Sequence, residues 1–215
     1  MPIEHDTLTL AQWFTPSYPL GAFAYSHGLE TAIAGGQIDN AASLQAWLRD
    51  VLVHGSGRND CILLRAGFDC EGPEALADVD AHARAFAASA ERLAETNVQG
   101  DAFARTTQAI WGTAMPPACH PVAVGYAAAQ LCLPLTLTAQ MYLQSFASNL
   151  VSAAVRLVPL GQTEGQAVLA ALTPLCREIV QDTGNATLGD LAGSAFMSDI
   201  AAMRHETLEH RIFRS

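Results

Sequence analysis

The chain has 215 residues, half of them apolar and 15% charged, so it folds around a sizeable core. Its net charge is −10 and all eleven basic residues are arginine, which argues against nucleic-acid binding and excludes any phosphate loop built on lysine. The five cysteines form no CxxC pair and follow no basic leader, so reduced thiols in a cytosolic protein are expected, and a structural zinc site is not.

A short helix is expected over Leu8–Phe14, capped by Asp6 or Thr7 and stopped at Pro16. The stretch "PSYPLGAFAYSHGLETAIAGG" follows. It reads as a break and then a helix whose small residues, Gly21, Ala22, Ala24, Ser26 and Gly28, allow close backbone approach. Gly28 inside a helix would cost about 1 kcal/mol against Ala, so a neighbour should pack there. Its glycines match neither GxGxxG nor GxxxxGK[ST], and no strand precedes them. Leu44, Trp47, Leu48, Val51 and Leu52 then mark one face of a helix begun by Asn40 or Ser43.

Further helices are expected over Asp60–Phe68, Glu74–Ser89 and Ala90–Trp111, with residues 74–105 the most water-exposed part. "GTAMPPACHP" is a loop. Residues 106–155 hold no Asp, Glu, Lys or Arg. Four prolines and recurring Gln, Ser and Asn break this run, so it reads as two buried helices, Val122–Leu133 and Leu135–Val158, and not as a membrane span. A helix follows from a cap at Thr163 through Val180, and a last short one starts near Ala195. No segment alternates as a strand does. The expected architecture is all-α, one domain over residues 1–215 of about eight to ten helices and no sheet, with an N-terminal helix in 1–15, a tail at 203–215 and a core around Leu131–Leu157.

No GxSxG elbow occurs. Cys119 and His120 are adjacent, which allows a catalytic-dyad reading inside a helical small-molecule pocket, although sequence adjacency says little. "RHETLEHR" lacks the HExxH order, and His27 with Glu30 is a weak pair. A nickel-binding reading would use His27, His54, His205 and His210. The ending "MRHETLEHRIFRS" sets Arg204, Arg211 and Arg214 among Met203, Leu208, Ile212 and Phe213, the anchors of a docking peptide.

Four blocks in order resemble the UreF family of urease accessory proteins: "TPSYPLGAFAYSHGLE", "CHPVAVGYAAA", "NLVSAAVRLVPLGQTEGQ" and "MRHETLEHRIFRS". Residues 69–112 carry no comparable match. The resemblance implies a cytosolic all-α protein with no catalysis, cofactor or resident metal of its own. It further implies bridging of UreD (also called UreH) and the GTPase UreG, as a homodimer within the complex, to regulate nickel delivery into apo-urease. A passage for nickel through the UreF–UreD pair is among the proposals for that family. Carried onto this chain, the docking surface comprises Pro19, Gly21, Phe23, Tyr25, Ser26, Gly28 and Glu30 together with Arg204, His205, Arg211, Phe213 and Ser215. Arg211 is expected to pin the tail through carbonyls or a carboxylate such as Glu30. Departures from the pattern are Ile212, His210 and Phe23, the last removing a tyrosine hydroxyl that could hold the tail.

Overall fold

The apolar spacing at Leu44, Leu48, Val51 and Leu52 produces a helix over Ala41–His54 with that face buried. Asn40 closes its start: its side chain accepts the Ala42 and Ser43 N–H groups at 2.9 and 3.0 Å, and Ser43 Oγ accepts the Asn40 N–H at 3.1 Å. The computed structural model describes residues 2–215, with side chains from His5 onward. Over these residues the α-helices are α1 (Pro2–Trp13), α2 (Leu29–Ala34), α3 (Ala41–His54), α4 (Ser56–Phe68), α5 (Pro73–Ala85), α6 (Ala90–Trp111), α7 (His120–Gln130), α8 (Leu135–Leu157), α9 (Gln162–Asp182) and α10 (Phe196–His205). Short 3₁₀ turns occur at Ala22–Ala24 and Leu188–Asp190, and the described residues contain no strand.

The all-α expectation holds, with shifted boundaries. Helix α1 begins at Pro2, a residue suited to a first helical position, so Asp6 and Thr7 lie inside it and do not cap it. Its Leu10 and Trp13 are buried, and Trp13 meets Phe103 and Trp111 edge-on at 5.0 and 5.9 Å. Helix α9 is capped at Gly161, whose N–H is accepted by Glu164, and not at Thr163.

The core takes in much of the expected Leu131–Leu157 stretch and extends to a close crossing of α4 and α7. Leu131 is only half-buried, whereas Cys61, Ile62 and Leu64 of α4 and Val122, Ala123, Val124 and Ala127 of α7 are enclosed. These two helices approach so closely because each has a glycine at the crossing. A Cβ at Gly67 would lie 2.5 Å from the Val122 carbonyl oxygen, and one at Gly125 would lie 1.9 Å from that of Leu64. Around this pair, α8 buries Leu143, Ala147, Leu150 and Ala154 and packs along α9. The uncharged run is thus divided among the end of α6, a loop, α7 and α8. No helix of the described residues is long and apolar enough to cross a membrane.

Candidate docking site: the folded-back tail

After α10 the chain turns at residues 206–208 and runs back beside residues 24–30. The Arg214 N–H donates to the Ala24 carbonyl at 2.8 Å, and the Ser26 N–H donates to the Ser215 carbonyl at 2.7 Å. The Ser26 hydroxyl donates to the same Ser215 oxygen. Glu30 then takes the two preceding amides, Ile212 N–H on Oε1 at 2.7 Å and Phe213 N–H on Oε2 at 2.9 Å. Phe213 and Ser215 are buried, while Ile212 just before them is 73% exposed.

The 20–30 segment has the backbone shape this requires. It is not one helix, contrary to the sequence reading: a 3₁₀ turn at Ala22–Ala24 passes into extended Tyr25 and then into two left-handed residues, His27 (φ 58°) and Gly28 (φ 76°), before α2. Gly28 is therefore the N-cap of α2 and carries no helix-interior cost. The expected close neighbour is present: a Cβ at position 28 would sit 2.6 Å from the Ala202 nitrogen and 2.8 Å from the Ala201 carbonyl carbon of α10. One glycine thus permits both the turn and the seating of α10 on α2.

Arg211 binds Glu91 of α6, not Glu30, and reaches the His205 carbonyl at 3.5 Å. His205 is fully buried, with Nδ1 2.6 Å from Glu91 and Nε2 3.3 Å from Glu30. The Ser215 hydroxyl donates to Glu95 at 2.8 Å, and Glu95 is also paired with Arg92 and accepts from Gln99 at 3.0 Å. Glu206 accepts the Ala90 N–H at 2.8 Å, satisfying a free donor at the start of α6.

Of the residues carried over from the resemblance, Ser26, Gly28, Glu30, His205, Arg211, Phe213 and Ser215 meet in this seam. Tyr25 is buried beside it, and Gly21 (φ 72°) starts the 3₁₀ turn. Pro19 and Arg204 are exposed, as is the Phe23 side chain at 64%; only the Phe23 carbonyl is used, accepting from Arg156 at 3.3 Å. A hydroxyl on ring 23 is therefore not what holds the tail here.

The sequence reading missed Glu91, Arg92 and Glu95, taking residues 74–105 as the most exposed part. Glu95, Gln99 and Asp80 are in fact buried. Glu91, Glu95 and Gln99 stand four apart, and that polar stripe on one helix face was the available signal.

Sequence comparison agrees with the four motif blocks. The UreF family model matches residues 38–173. The chain belongs to the UreF family. Relatives named urease accessory protein UreF include that of Ruegeria pomeroyi, 50% identical over all of this chain and 99% of its own length. That of Roseobacter denitrificans is 54% identical over 97% of this chain and 93% of its own length, and that of Cereibacter sphaeroides strain KD131 is 55% identical over 97% and 98%. The UreF match spans residues 69–112, where the motifs give no resemblance and where two of the tail's acidic partners, Glu91 and Glu95, lie.

Beneath the seam of this UreF-family chain lies a cavity of about 50 Å³, lined by His27, Asp60, Glu95, His120 and Tyr142 among others. Tyr142 donates to Asp60 at 2.7 Å, and burial raises the Asp60 carboxyl to about 6. Burial, then the Arg92 charge, holds His27 well below the usual imidazole range, and burial alone brings His120 to about 4. Cys119 does not line this cavity. Its buried thiol is pushed up to about 12, chiefly by burial and then by Asp80, so the thiol is a poor nucleophile. Among the described residues no three His, Cys, Asp or Glu side chains are grouped to hold a metal ion.

Proposed function

We propose that this chain is a non-catalytic urease maturation factor, a cytosolic docking protein that bridges UreD (UreH) and the GTPase UreG. In this reading it acts as a homodimer within their complex and regulates GTP-dependent nickel insertion into apo-urease. The relatives' name, urease accessory protein UreF, supports the urease part; the remaining steps rest on the family resemblance.

The observation that carries the docking role is the tail held on the N-terminal motif by Glu30 and Glu91. The contact turns two ends of the sequence into one surface. It exposes Phe23 and Ile212 beside Arg211 and Arg214, an aromatic, aliphatic and arginine set of the kind that anchors interfaces. The same contact buries Phe213 under Arg156, whose guanidinium carbon is 5.8 Å from the ring centre, so the surface is ordered before a partner arrives.

The test is co-purification of the full chain with UreD and UreG, followed by the nickel content and activity of the urease matured with it. Arg211→Ala is expected to keep its helical content and to lose a partner. Normal recovery of both partners with full urease activation would overturn the docking role of the tail.

A further inference from the structure

Helix α10 has two unlike faces. Ala201, Ala202 and His205 are buried, received by Gly28 and Glu30 of the N-terminal motif and by Glu91 of α6. At about 100° per residue, Phe196, Met197, Ile200 and Met203 fall together on the opposite side. All four are between 40% and 68% exposed. A folded chain rarely leaves four large apolar side chains bare in one stripe unless something docks there.

The stripe borders a cleft. Met203 and Phe86 both line a cavity of about 320 Å³ between α4, the α5–α6 turn and α10, within the roughly 300–1,000 Å³ of ordinary ligand pockets. Asp60, Arg92 and Asp199 line it too. Asp60 is taken by the Tyr142 hydroxyl at 2.7 Å, and Arg92 is committed to Glu95. Asp199 has no ion-pair partner among the described residues. Burial raises its carboxyl above the usual range, with the Arg92 charge opposing, so the group sits partly desolvated without a cation of its own. The helical turn sets Asp199 at one edge of the stripe and the exposed Arg204 at the other.

We propose that this stripe and its cleft are a second docking surface, taking a protein segment whose apolar side chains cover Phe196, Met197, Ile200 and Met203 while an arginine or lysine enters the cleft toward Asp199. The entering residue lays its apolar stem between Phe86 and Met203 and brings its charged head to the unpaired carboxylate. The cleft's uncompensated charge is negative and the whole chain carries −10, so a basic partner is drawn in and a second copy of this acidic chain is a poor occupant. A small amine could enter the cleft but would leave the stripe bare. The surface shares no residue with the exposed tail set of Phe23, Arg211, Ile212 and Arg214.

This inference rests on the assembly of the proposed function and gives it a second surface. Its test is the affinity of the full chain for UreD, UreG and apo-urease when it carries Ile200→Asp or Asp199→Arg, both outside the buried face of α10. Each variant is expected to keep its far-UV dichroism and the exchange protection of the Phe213 amide, and to lose at least about tenfold in affinity for one of the three proteins. Asp199→Asn removes the charge without reversing it and should lose less than Asp199→Arg. Unchanged affinity for all three proteins in either Ile200→Asp or Asp199→Arg overturns the surface. So does a loss of self-association in Ile200→Asp with all three proteins still bound, which would give the stripe to a second copy. If Arg211→Ala binds normally while the two α10 variants do not, the tail's docking role falls and this surface stands. The reverse pattern leaves the tail's role and removes this one. An unaltered chain that binds none of the three overturns both.

Discussion

Phe213 and Glu30 stand 183 residues apart, yet the Phe213 N–H donates to Glu30 Oε2 at 2.9 Å and the ring is almost wholly buried. One carboxylate therefore takes both amides at the centre of the tail, beside the anchors at Ala24, Ser26, Glu91 and Glu95. Glu30→Ala would leave the Ile212 and Phe213 amides without acceptors, at about 1–3 kcal/mol each if they stayed buried. Releasing the tail avoids that cost, so the tail should leave while the helices remain. Residues 209–215 should exchange near their intrinsic rates with far-UV dichroism unchanged. Retained protection of the Phe213 amide would contradict this role for Glu30.

Gly28→Ala tests the other side of the seam. A side chain at φ 76° is strained by about 1–2 kcal/mol, and the added carbon would press on the Ala201–Ala202 backbone, which cannot move as a side-chain end can. Denaturant unfolding should show a loss of about 2–4 kcal/mol, with the tail exchanging faster. Gly21→Ala has the same kind of φ but open space around it, so it should lose the smaller amount alone. Equal losses at the two positions would remove the packing role given to Gly28.

The helices were legible because the 3.6-residue period is local. Leu44, Leu48, Val51 and Leu52 mark α3 without knowledge of any neighbour. The α4–α7 crossing was not legible, since Gly67 and Gly125 matter through an approach between distant segments that hydrophobicity does not record. The tail motif pointed to a docking peptide; of its residues His205, Arg211, Phe213 and Ser215 lie in the seam, whereas Met203 and Arg204 are exposed. Its receivers Glu91 and Glu95 were hidden because a charged helix face looks solvated until something polar covers it. Arg211 was given Glu30 for the same reason: among the acids of the recognised motifs Glu30 was the candidate, and α6 lay outside them.

Phe23→Ala separates binding from stability. The ring is largely exposed, so its loss should change the unfolding free energy by less than about 0.5 kcal/mol. The backbone contacts of this turn, Asn149 to the Ala22 carbonyl at 3.0 Å and Arg156 to the Phe23 carbonyl, do not depend on the Phe23 side chain. Affinity for a recruited partner should fall by about 2 kcal/mol, the range of an interface anchor, in a titration against UreD or UreG. An unchanged affinity for both partners would place Phe23 outside the interface.

Asp60 gives a pH test of the buried cavity. Burial raises its carboxyl from 3.8 to about 6; the Tyr142 hydrogen bond and the Arg92 charge oppose the rise, and Glu95 adds to it. Between those two values the folded chain holds a proton that the unfolded chain has released, so this favourable contribution is full below pH 3.8 and is lost by about pH 6. Above that, the ionised group stays buried at a cost of roughly 3 kcal/mol. Asp60→Asn keeps an acceptor for the Tyr142 hydroxyl and removes the charge. It should therefore be more stable than the unaltered chain at pH 8, by up to about 3 kcal/mol, with the gap closing as the pH falls toward 4. His120 and His27 work the other way: both are held neutral, so acid destabilises the fold as the unfolded imidazoles charge near about pH 6.5, and they do so equally in both proteins. Denaturant unfolding of the two chains across pH 4–8 isolates the Asp60 contribution as their difference. A difference that does not grow with pH would mean that Asp60 is hydrated or paired strongly enough to ionise freely in the fold.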